Sequence, residues 1–429
     1  MKFIFADAQD YVDPHYDFLN DVNGEGRQPY WDDQYPHEIL DHAPYDGILV
    51  SRAIVGSPGI NGKYSESQSM RLRRVGAREY LRFNRPEHLD KPIFGDCGAF
   101  SYSNLDVPPY TAVDTVEFYG DGQFTHGFSI DHIVFEFDSN AKDLSGGSAQ
   151  SRERFDITLE LASEFIKESS KQLGRGFTPI GVVQGWSPDS LAEAARRLIK
   201  MGYRYLAIGG LVPLKVYEIH QAVATVHDVI QQWPDVKLHL LGFAKADHLH
   251  EFTRYSQIAS FDTTSPLIRA FKDNKQNYYL PGKNGSLQYF TAIRVPQALD
   301  NNKLKNHAKT GRYAQEDLVQ LEQEALGRLR SFDKGEAALN ETLDAIIAYS
   351  RPLYWSPTSS EESMRRKLHT LRLQYRHTLE ASPWKSCNCP ICRTASIETI
   401  IFRASNRNKR RGIHNLGVFY EHLNKTRVL

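Results

Sequence analysis

The stretch Pro179-Ile180-Gly181-Val182-Val183-Gln184 is followed by Ser190-Leu191-Ala192-Glu193-Ala194-Ala195-Arg196-Arg197-Leu198-Ile199-Lys200-Met201 and then by Tyr205-Leu206-Ala207-Ile208-Gly209-Gly210. The two outer runs are continuously apolar, as in parallel strands buried on both faces, where strict alternation disappears. The middle segment is rich in helix formers, with Asp189 or Ser190 available as N-cap and Gly202 as the stop. One strand, helix, strand unit is therefore written out in about thirty residues.

The same kind of run recurs at residues 2–6, 47–51, 92–94, 132–137, 238–241 and 258–261, with spacers long enough for helices. Eight such runs predict an α/β chain folded as a (β/α)8 TIM-like barrel. The first run is also readable as a flap outside the barrel. A Rossmann-like open sheet is the rival architecture, but no Gly-x-Gly-x-x-Gly follows the early strands. Asp96, Asp138, Gln184, Gly209-Gly210 and Asp262 each fall at or just past the end of a run. In a barrel these ends converge on one mouth, where active sites of this fold are built. Any one aspartate is readable as the cap of a βα turn. Three carboxylates at one mouth exceed what folding needs, because a buried carboxylate costs several kcal/mol unless paired, hydrogen-bonded or used.

Beyond residue 270 the texture changes. Residues 272–285 are polar and turn-rich, 287–295 read as a strand, and 314–349 as a long helical region broken near 332–335. A helix over 361–380 carries Met364, Leu368, Leu371 and Tyr375 on one face and Arg365, His369, Arg372 and Arg376 on another. Texture therefore predicts a catalytic barrel over 1–295, a helical insertion over 296–384 and a C-terminal zinc-binding subdomain over 385–429. The last part contains Cys387-Asn388-Cys389-Pro390-Ile391-Cys392 and, further on, His414. A Cys-x-Cys-x-x-Cys trio plus one histidine matches the closed four-ligand shell of a structural Zn2+, whereas catalytic zinc keeps an open position. A disulfide is the alternative, against which stands the small number of cysteines, 4 in 429 residues. A basic run includes Arg403, Arg407, Lys409, Arg410 and Arg411. This run and the basic face of the 361–380 helix are candidates for gripping nucleic-acid phosphates, or are solvated faces.

Lysine plus arginine, 52, equals aspartate plus glutamate, 52, so any nucleic-acid surface is a local patch. No apolar run approaches the roughly 18–20 residues that span a bilayer, and the first residues lack a signal-peptide layout. A soluble cytoplasmic protein with no membrane partner is expected.

Several motifs carry a family resemblance. Gly95-Asp96-Cys97-Gly98-Ala99-Phe100 resembles the Asp-Ser-Gly-Gly-Phe motif of the tRNA-guanine transglycosylase superfamily, and Gly181-Val182-Val183-Gln184-Gly185 its Gly-Ile-Val-Gln-Gly. Ala207-Ile208-Gly209-Gly210-Leu211, Leu240-Leu241-Gly242, Phe261-Asp262 and the cysteine trio with Ile413-His414-Asn415-Leu416 match in the family's order. The resemblance implies Asp262 as a nucleophile forming a covalent glycosyl-enzyme and Asp96 as general acid and base. It implies that Asp138 and Gln184 read the purine edge with the backbone of the Gly209, Gly210, Leu211 loop, and that Phe100 and Leu241 sandwich the ring. Cys387, Cys389, Cys392 and His414 would hold structural Zn2+.

There are departures. Ala99 replaces a glycine, Trp186 replaces another, and Ser139-Asn140 stand where bacterial tRNA enzymes have Glu-Cys. Val212-Pro213-Leu214 resembles archaeal members that insert the 7-deazaguanine base preQ0. The long stretch before the cysteines, with no RNA-binding domain after His414, is similar to the DNA-guanine transglycosylase branch. That branch implies DNA as partner, a flipped or single-stranded target guanine, Arg269 as a phosphate contact, and a possible partner ATPase. A tRNA-modifying enzyme, a non-catalytic nucleic-acid-binding subunit and another hydrolase on the same barrel remain alternatives.

Overall fold

The computed structural model describes residues 1–56, 61–243, 245–283 and 286–428. Eight parallel strands close into a barrel in sequence order: β1 (Lys2–Asp7), β2 (Gly47–Ser51), β3 (Ile93–Asp96), β4 (His126–Phe128), β5 (Thr178–Val183), β6 (Tyr205–Ile208), β7 (Lys237–Leu240) and β8 (Ile258–Asp262). Closure is made by β1 on β8, with Phe3 opposite Phe261 and Ile4 opposite Asp262. The first run is thus a barrel strand and not a flap. Ile4, Leu49, Phe94, Phe128, Ile180, Val182, Tyr205 and Ala207 form the buried cluster that fills the barrel, as side-chain layers do in this architecture.

The helix between β5 and β6 spans Pro188–Met201, starting earlier than its apolar pattern suggests. Ser187 is the N-cap: its hydroxyl accepts from the Ser190 amide at 3.2 Å, and Pro188 takes the first helical position, where its missing N–H is harmless. Gly202 ends the helix at φ 111°, as expected of a left-handed stop.

The fourth strand is a correction. The run 132–137 is not a strand; β4 is His126–Phe128, paired with β3 through Gly95↔Gly127 and with β5 through Phe128↔Ile180. Apolar patterning missed it because its middle residue is a glycine that serves packing. A Cβ at Gly127 would lie 2.4 Å from the Tyr119 ring, and one at Gly95 would also lie 2.4 Å from it. The two paired glycines open a slot for Tyr119, whose hydroxyl donates to the Phe128 carbonyl at 2.9 Å. Tyr119 lies on the helix Ala112–Asp121, so this contact docks that helix on the sheet.

The fold divides differently from the texture of the sequence. One compact unit is residues 1–9 with 45–265, the barrel; the other is 10–44 with 266–429. The second unit holds the helices Asn302–Lys309, Gln315–Lys334, Leu339–Tyr354 and Glu361–Ala381 and the long Ser405–Val428. Its core is built from Ile293, Leu318, Leu329, Leu343, Ile346, Tyr349, Tyr375 and Leu379 with Trp384 and Ile401. Within it Arg403 and Arg407 meet Asp21, Arg403 also meets Glu322, and Arg407 meets Glu398 at 2.7 Å. Among the described residues no helix is long and apolar enough to cross a membrane.

Replacing Gly127 by Val should destabilise the protein by about 1–3 kcal/mol, the usual range for overpacking a filled core. Thermal denaturation checks this; an unchanged Tm would return residue 127 to a loop.

Candidate active site

The C-terminal ends of the strands enclose a cavity of about 200 Å³ lined by Asp96, Phe100, Asp131, Gln184, Gly210, Leu241 and Asp262. It is smaller than the roughly 300–1,000 Å³ of drug-sized pockets, and suits a single flat heterocycle. Phe100 is 54 % exposed and stands at its edge, an apolar ring left open on a barrel mouth.

Asp262 ends β8 and is 7 % exposed. Its Oδ1 accepts from the Gly242 amide at 2.7 Å and lies 3.0 Å from His239 Nε2. Its backbone carbonyl accepts from the Phe243 amide at 2.9 Å. Gly242 adopts φ 68°, which turns its N–H toward the carboxylate and favours glycine there. Oδ2 makes no hydrogen bond among the described residues, so one oxygen of this carboxylate is anchored and the other is available.

Asp96 ends β3 and is deeply enclosed, with only part of its surface open to the cavity. Burial is the main cause that raises its pKa to about 7, with repulsion from Asp131 next and from Asp262 smaller; the Gly98 amide and Ser51 hydroxyl oppose the shift. Gly98 makes the tight turn behind Asp96 at φ 80°, where a Cβ would strike Ala53 at 2.4 Å. Asp131 follows β4 and is 1 % exposed; burial raises its pKa to about 6 against the Gln184 and Cys97 hydrogen bonds that lower it. Gln184 Nε2 donates to Asp131 Oδ2 at 2.7 Å, and the Cys97 thiol faces Oδ1 at 3.4 Å. Gln184 is itself held by the Val134 amide on its Oε1 at 3.3 Å. A Cβ on Gly209 would lie 2.3 Å from the Gln184 amide nitrogen, so a glycine at this strand end lets Gln184 stand where it does.

The structure brings Asp96, Phe100, Gln184, Gly210, Leu241 and Asp262 to one cavity. Gly209 supports it from behind, and Leu211 is buried, 1 % exposed, away from the cavity wall. Asp138 is not in the cavity: it is exposed and its Oδ1 accepts from the Asn140 amide at 2.9 Å in a local turn. The carboxylate at that strand end is Asp131, because β4 lies earlier in the chain than the apolar run 132–137. The signal that points to it is Gly122, which closes the preceding helix and requires the next strand to begin within a few residues. His239 also escaped the sequence pattern. A histidine inside an apolar run of a barrel strand is a buried polar group that must have partners.

In the second unit the ligand atoms of Cys387, Cys389, Cys392 and His414 all lie within 4.8 Å of one another. His414 Nδ1 is 3.6, 3.4 and 3.4 Å from the three sulfurs. These separations fit four ligands around one tetrahedral ion with metal–sulfur bonds of about 2.3 Å. His414 Nε2 donates to the Tyr279 carbonyl at 2.7 Å, which leaves Nδ1 for the ion, and the Tyr278 ring stacks on the imidazole at 4.2 Å. Three thiols and one buried imidazole make a four-donor set that could hold a metal ion.

No protein-family model matches the chain. A DNA-guanine transglycosylase from Salmonella montevideo is 39 % identical over 428 residues, which cover 99 % of this chain and 97 % of that protein. The chain belongs to the DNA-guanine transglycosylase family. It is therefore an enzyme of the pentosyltransferase type.

In this member of the DNA-guanine transglycosylase family, the arginines expected to meet nucleic acid separate into three groups. Arg410 and Arg411 are buried, 4 % and 0 % exposed. Arg410 donates to the Asp13 carbonyl at 2.6 Å, and Arg411 to the Ala270 carbonyl at 2.6 Å and the Thr399 carbonyl at 3.1 Å. Buried and bonded inward, they do not form a phosphate-gripping surface, which corrects that expectation: Arg410 and Arg411 brace their own unit. Arg372 pairs with Asp344 at 2.6 Å and Arg376 with Glu380 at 3.2 Å, both partly exposed. Arg365 is exposed on the same helix, and Arg269 lies over the Tyr289 ring, 5.7 Å from its centroid.

Cys389→Ser should remove bound metal and lower Tm together, because binding free energy at such a site is folding free energy. Metal analysis and thermal denaturation of the purified variant measure both; full stability without metal would refute a structural role.

Proposed function

We propose that this chain exchanges guanine in DNA for a 7-deazaguanine, preQ0, by double displacement through Asp262. The observation that carries the proposal is the base-sized cavity in which Asp262 offers one unbonded oxygen beside two carboxylates whose pKa values are raised toward neutrality. The relationship to a DNA-guanine transglycosylase supports DNA as the polymer.

Asp262 Oδ2 attacks C1′ of the target nucleotide. The C1′–N9 bond breaks, its electron pair leaves with guanine, and the Asp96 carboxylic acid transfers its proton to the departing base. An ester between Asp262 and C1′ remains. The incoming base then gives its N9 proton to the Asp96 carboxylate, N9 attacks C1′, and Asp262 leaves as the carboxylate. Asp96 ends as it began, protonated. A pKa of about 7 lets it serve in both directions.

Asp131 is the group suited to select the base. A guanine edge carries the N1–H and an amino group as donors, and a carboxylate accepts both. A 7-deazaguanine shows the same edge, so one acceptor serves the outgoing and incoming bases. Gln184 spends one Nε2–H on Asp131 and so orients it, and its second N–H remains to meet the base in the same cavity. Phe100 and Leu241 line the cavity as apolar contacts for the ring faces. The resemblance of Val212-Pro213-Leu214 to preQ0-inserting members supports preQ0 as the incoming base. Cys387, Cys389, Cys392 and His414 would hold Zn2+ on the chemistry of their donors, as a structural ion apart from these steps. A DNA target must leave the stack to present C1′, at a cost of a few kcal/mol for a paired base.

The deciding experiment is exchange of labelled guanine or preQ0 into plasmid DNA, single-stranded DNA and bulk tRNA in parallel. Label is expected in DNA; label in tRNA alone would overturn the choice of polymer while leaving the residue roles intact. Asp131→Asn should reduce kcat/KM by roughly 100-fold or more, as loss of a buried base-reading acceptor does, whereas Asp138→Asn should leave it within about twofold. Equal effects would contradict the assignment. Guanine release in a single turnover should fall as pH rises through about 7, since the raised pKa of Asp96 means its acid form is lost there. It should also fall below about 6 as Asp131 gains a proton. These limbs belong to the interacting pair, and the upper one should vanish in Asp96→Asn.

A further inference from the structure

We propose that His239 is a positioning residue for Asp262, a neutral imidazole that donates from Nε2 to Oδ1 and thereby leaves Oδ2 as the attacking atom; this rests on the assignment of Asp262 as nucleophile. His239 lies in β7 and is fully buried, 0 % exposed. Its surroundings in the barrel are apolar, with the Phe128 and Phe94 rings at 5.1 and 5.7 Å. An imidazole in such a place is strongly disfavoured unless its nitrogens are hydrogen-bonded. Both are: Nδ1 lies 2.5 Å from Ser260 Oγ and Nε2 lies 3.0 Å from Asp262 Oδ1. Ser260 Oγ in turn lies 2.6 Å from the Tyr205 hydroxyl. Ser260 is 1 % exposed and Tyr205 5 %, so the chain lies inside the barrel.

Counting protons fixes its direction. Three contacts join four groups, and Tyr205, Ser260 and neutral His239 carry one exchangeable proton each, while an ionised Asp262 carries none. Every contact is satisfied if Tyr205 donates to Ser260, Ser260 to Nδ1, and Nε2–H to Asp262. Reversal would require a protonated Asp262 and would leave the Tyr205 phenol proton without an acceptor among the described residues. An imidazolium brings a fourth proton to three contacts, so one hydroxyl proton, of Ser260 or of Tyr205, is left without an acceptor among the described residues. The chain therefore selects the Nε2–H tautomer. That donor and the Gly242 amide both act on Oδ1. Two donors on one oxygen orient the carboxylate for attack by the other. They also remain in place when the ester breaks and negative charge returns to Asp262, which is electrostatic stabilisation of a leaving group. The effect belongs to the chemical steps and not to base binding.

Three measurements test this. First, ¹⁵N NMR of the histidine rings in the wild-type enzyme should show His239 as the neutral Nε2–H tautomer; the Nδ1–H form or an imidazolium overturns the proposal. Second, His239→Leu should slow formation of the covalent enzyme–DNA adduct roughly 10- to 100-fold, the range seen when an outer partner of a reacting group is lost, with KM for the base within about twofold. Third, His239→Gln, whose side-chain amide can still donate to Oδ1, should recover most of that rate. A wild-type adduct rate in His239→Leu, or no recovery in a folded His239→Gln, overturns it. If His239→Leu does not fold, the tautomer assignment still decides. Asp262→Asn separates the two claims: an adduct in that variant refutes Asp262 as nucleophile, whereas a dead Asp262→Asn beside an unimpaired His239→Leu refutes only the role of His239.

Discussion

Burial of carboxylates in one small cavity, with their mutual repulsion second to it, is the constraint on which the candidate active site depends. Asp96, Asp131 and Asp262 share one small cavity, where burial penalises the charged form. Each is handled by a different device. Asp262 is held through one oxygen by the Gly242 amide with His239 beside it, Asp131 is clamped by Gln184 and Cys97, and Asp96 has its pKa raised to about 7. On the proposed mechanism the differences between these devices divide the labour among a nucleophile, an acceptor for the base and a group that moves a proton.

Backbone detail makes those devices fit. Glycine at 98 frees the turn behind Asp96, glycine at 209 leaves room for the Gln184 amide, and glycine at 242 points an N–H at Asp262. The paired glycines 95 and 127 do the same for packing, admitting Tyr119 so that β3 and β4 carry a helix against them. In the second unit the organising interactions are different. Buried arginines bridge Asp21, Glu322 and Glu398, and three cysteines and a histidine form a closed ligand set. Breaking one partner of such buried pairs is worse than never having had the pair, since the remaining charge is stranded.

The barrel was legible because parallel strands buried on both faces are continuous apolar runs, and seven of the eight runs mark true strands. The exception is instructive. His126-Gly127-Phe128 has no apolar signature, since its glycine exists for the sake of a ring from another element, while residues 132–137 have one without being a strand. That single shift moved the expected base-reading carboxylate from Asp131 to Asp138. Arg410 and Arg411 misled for a related reason: charge in a sequence suggests a solvated face, but these two are buried and donate to backbone carbonyls in their own unit.

By itself the sequence determined the barrel and singled out the Cys387, Cys389, Cys392, His414 cluster and the pair Asp96 and Asp262 that the cavity brings together, because periodicity, ligand spacing and motif order are local properties written along the chain. Tertiary structure alone decided that Asp131 and not Asp138 enters the cavity, that Gln184 serves Asp131, and that His239 stands behind Asp262. Each of those depends on which atoms of distant strands come within hydrogen-bonding distance once the barrel closes, and strand register across the sheet is not encoded in any single segment.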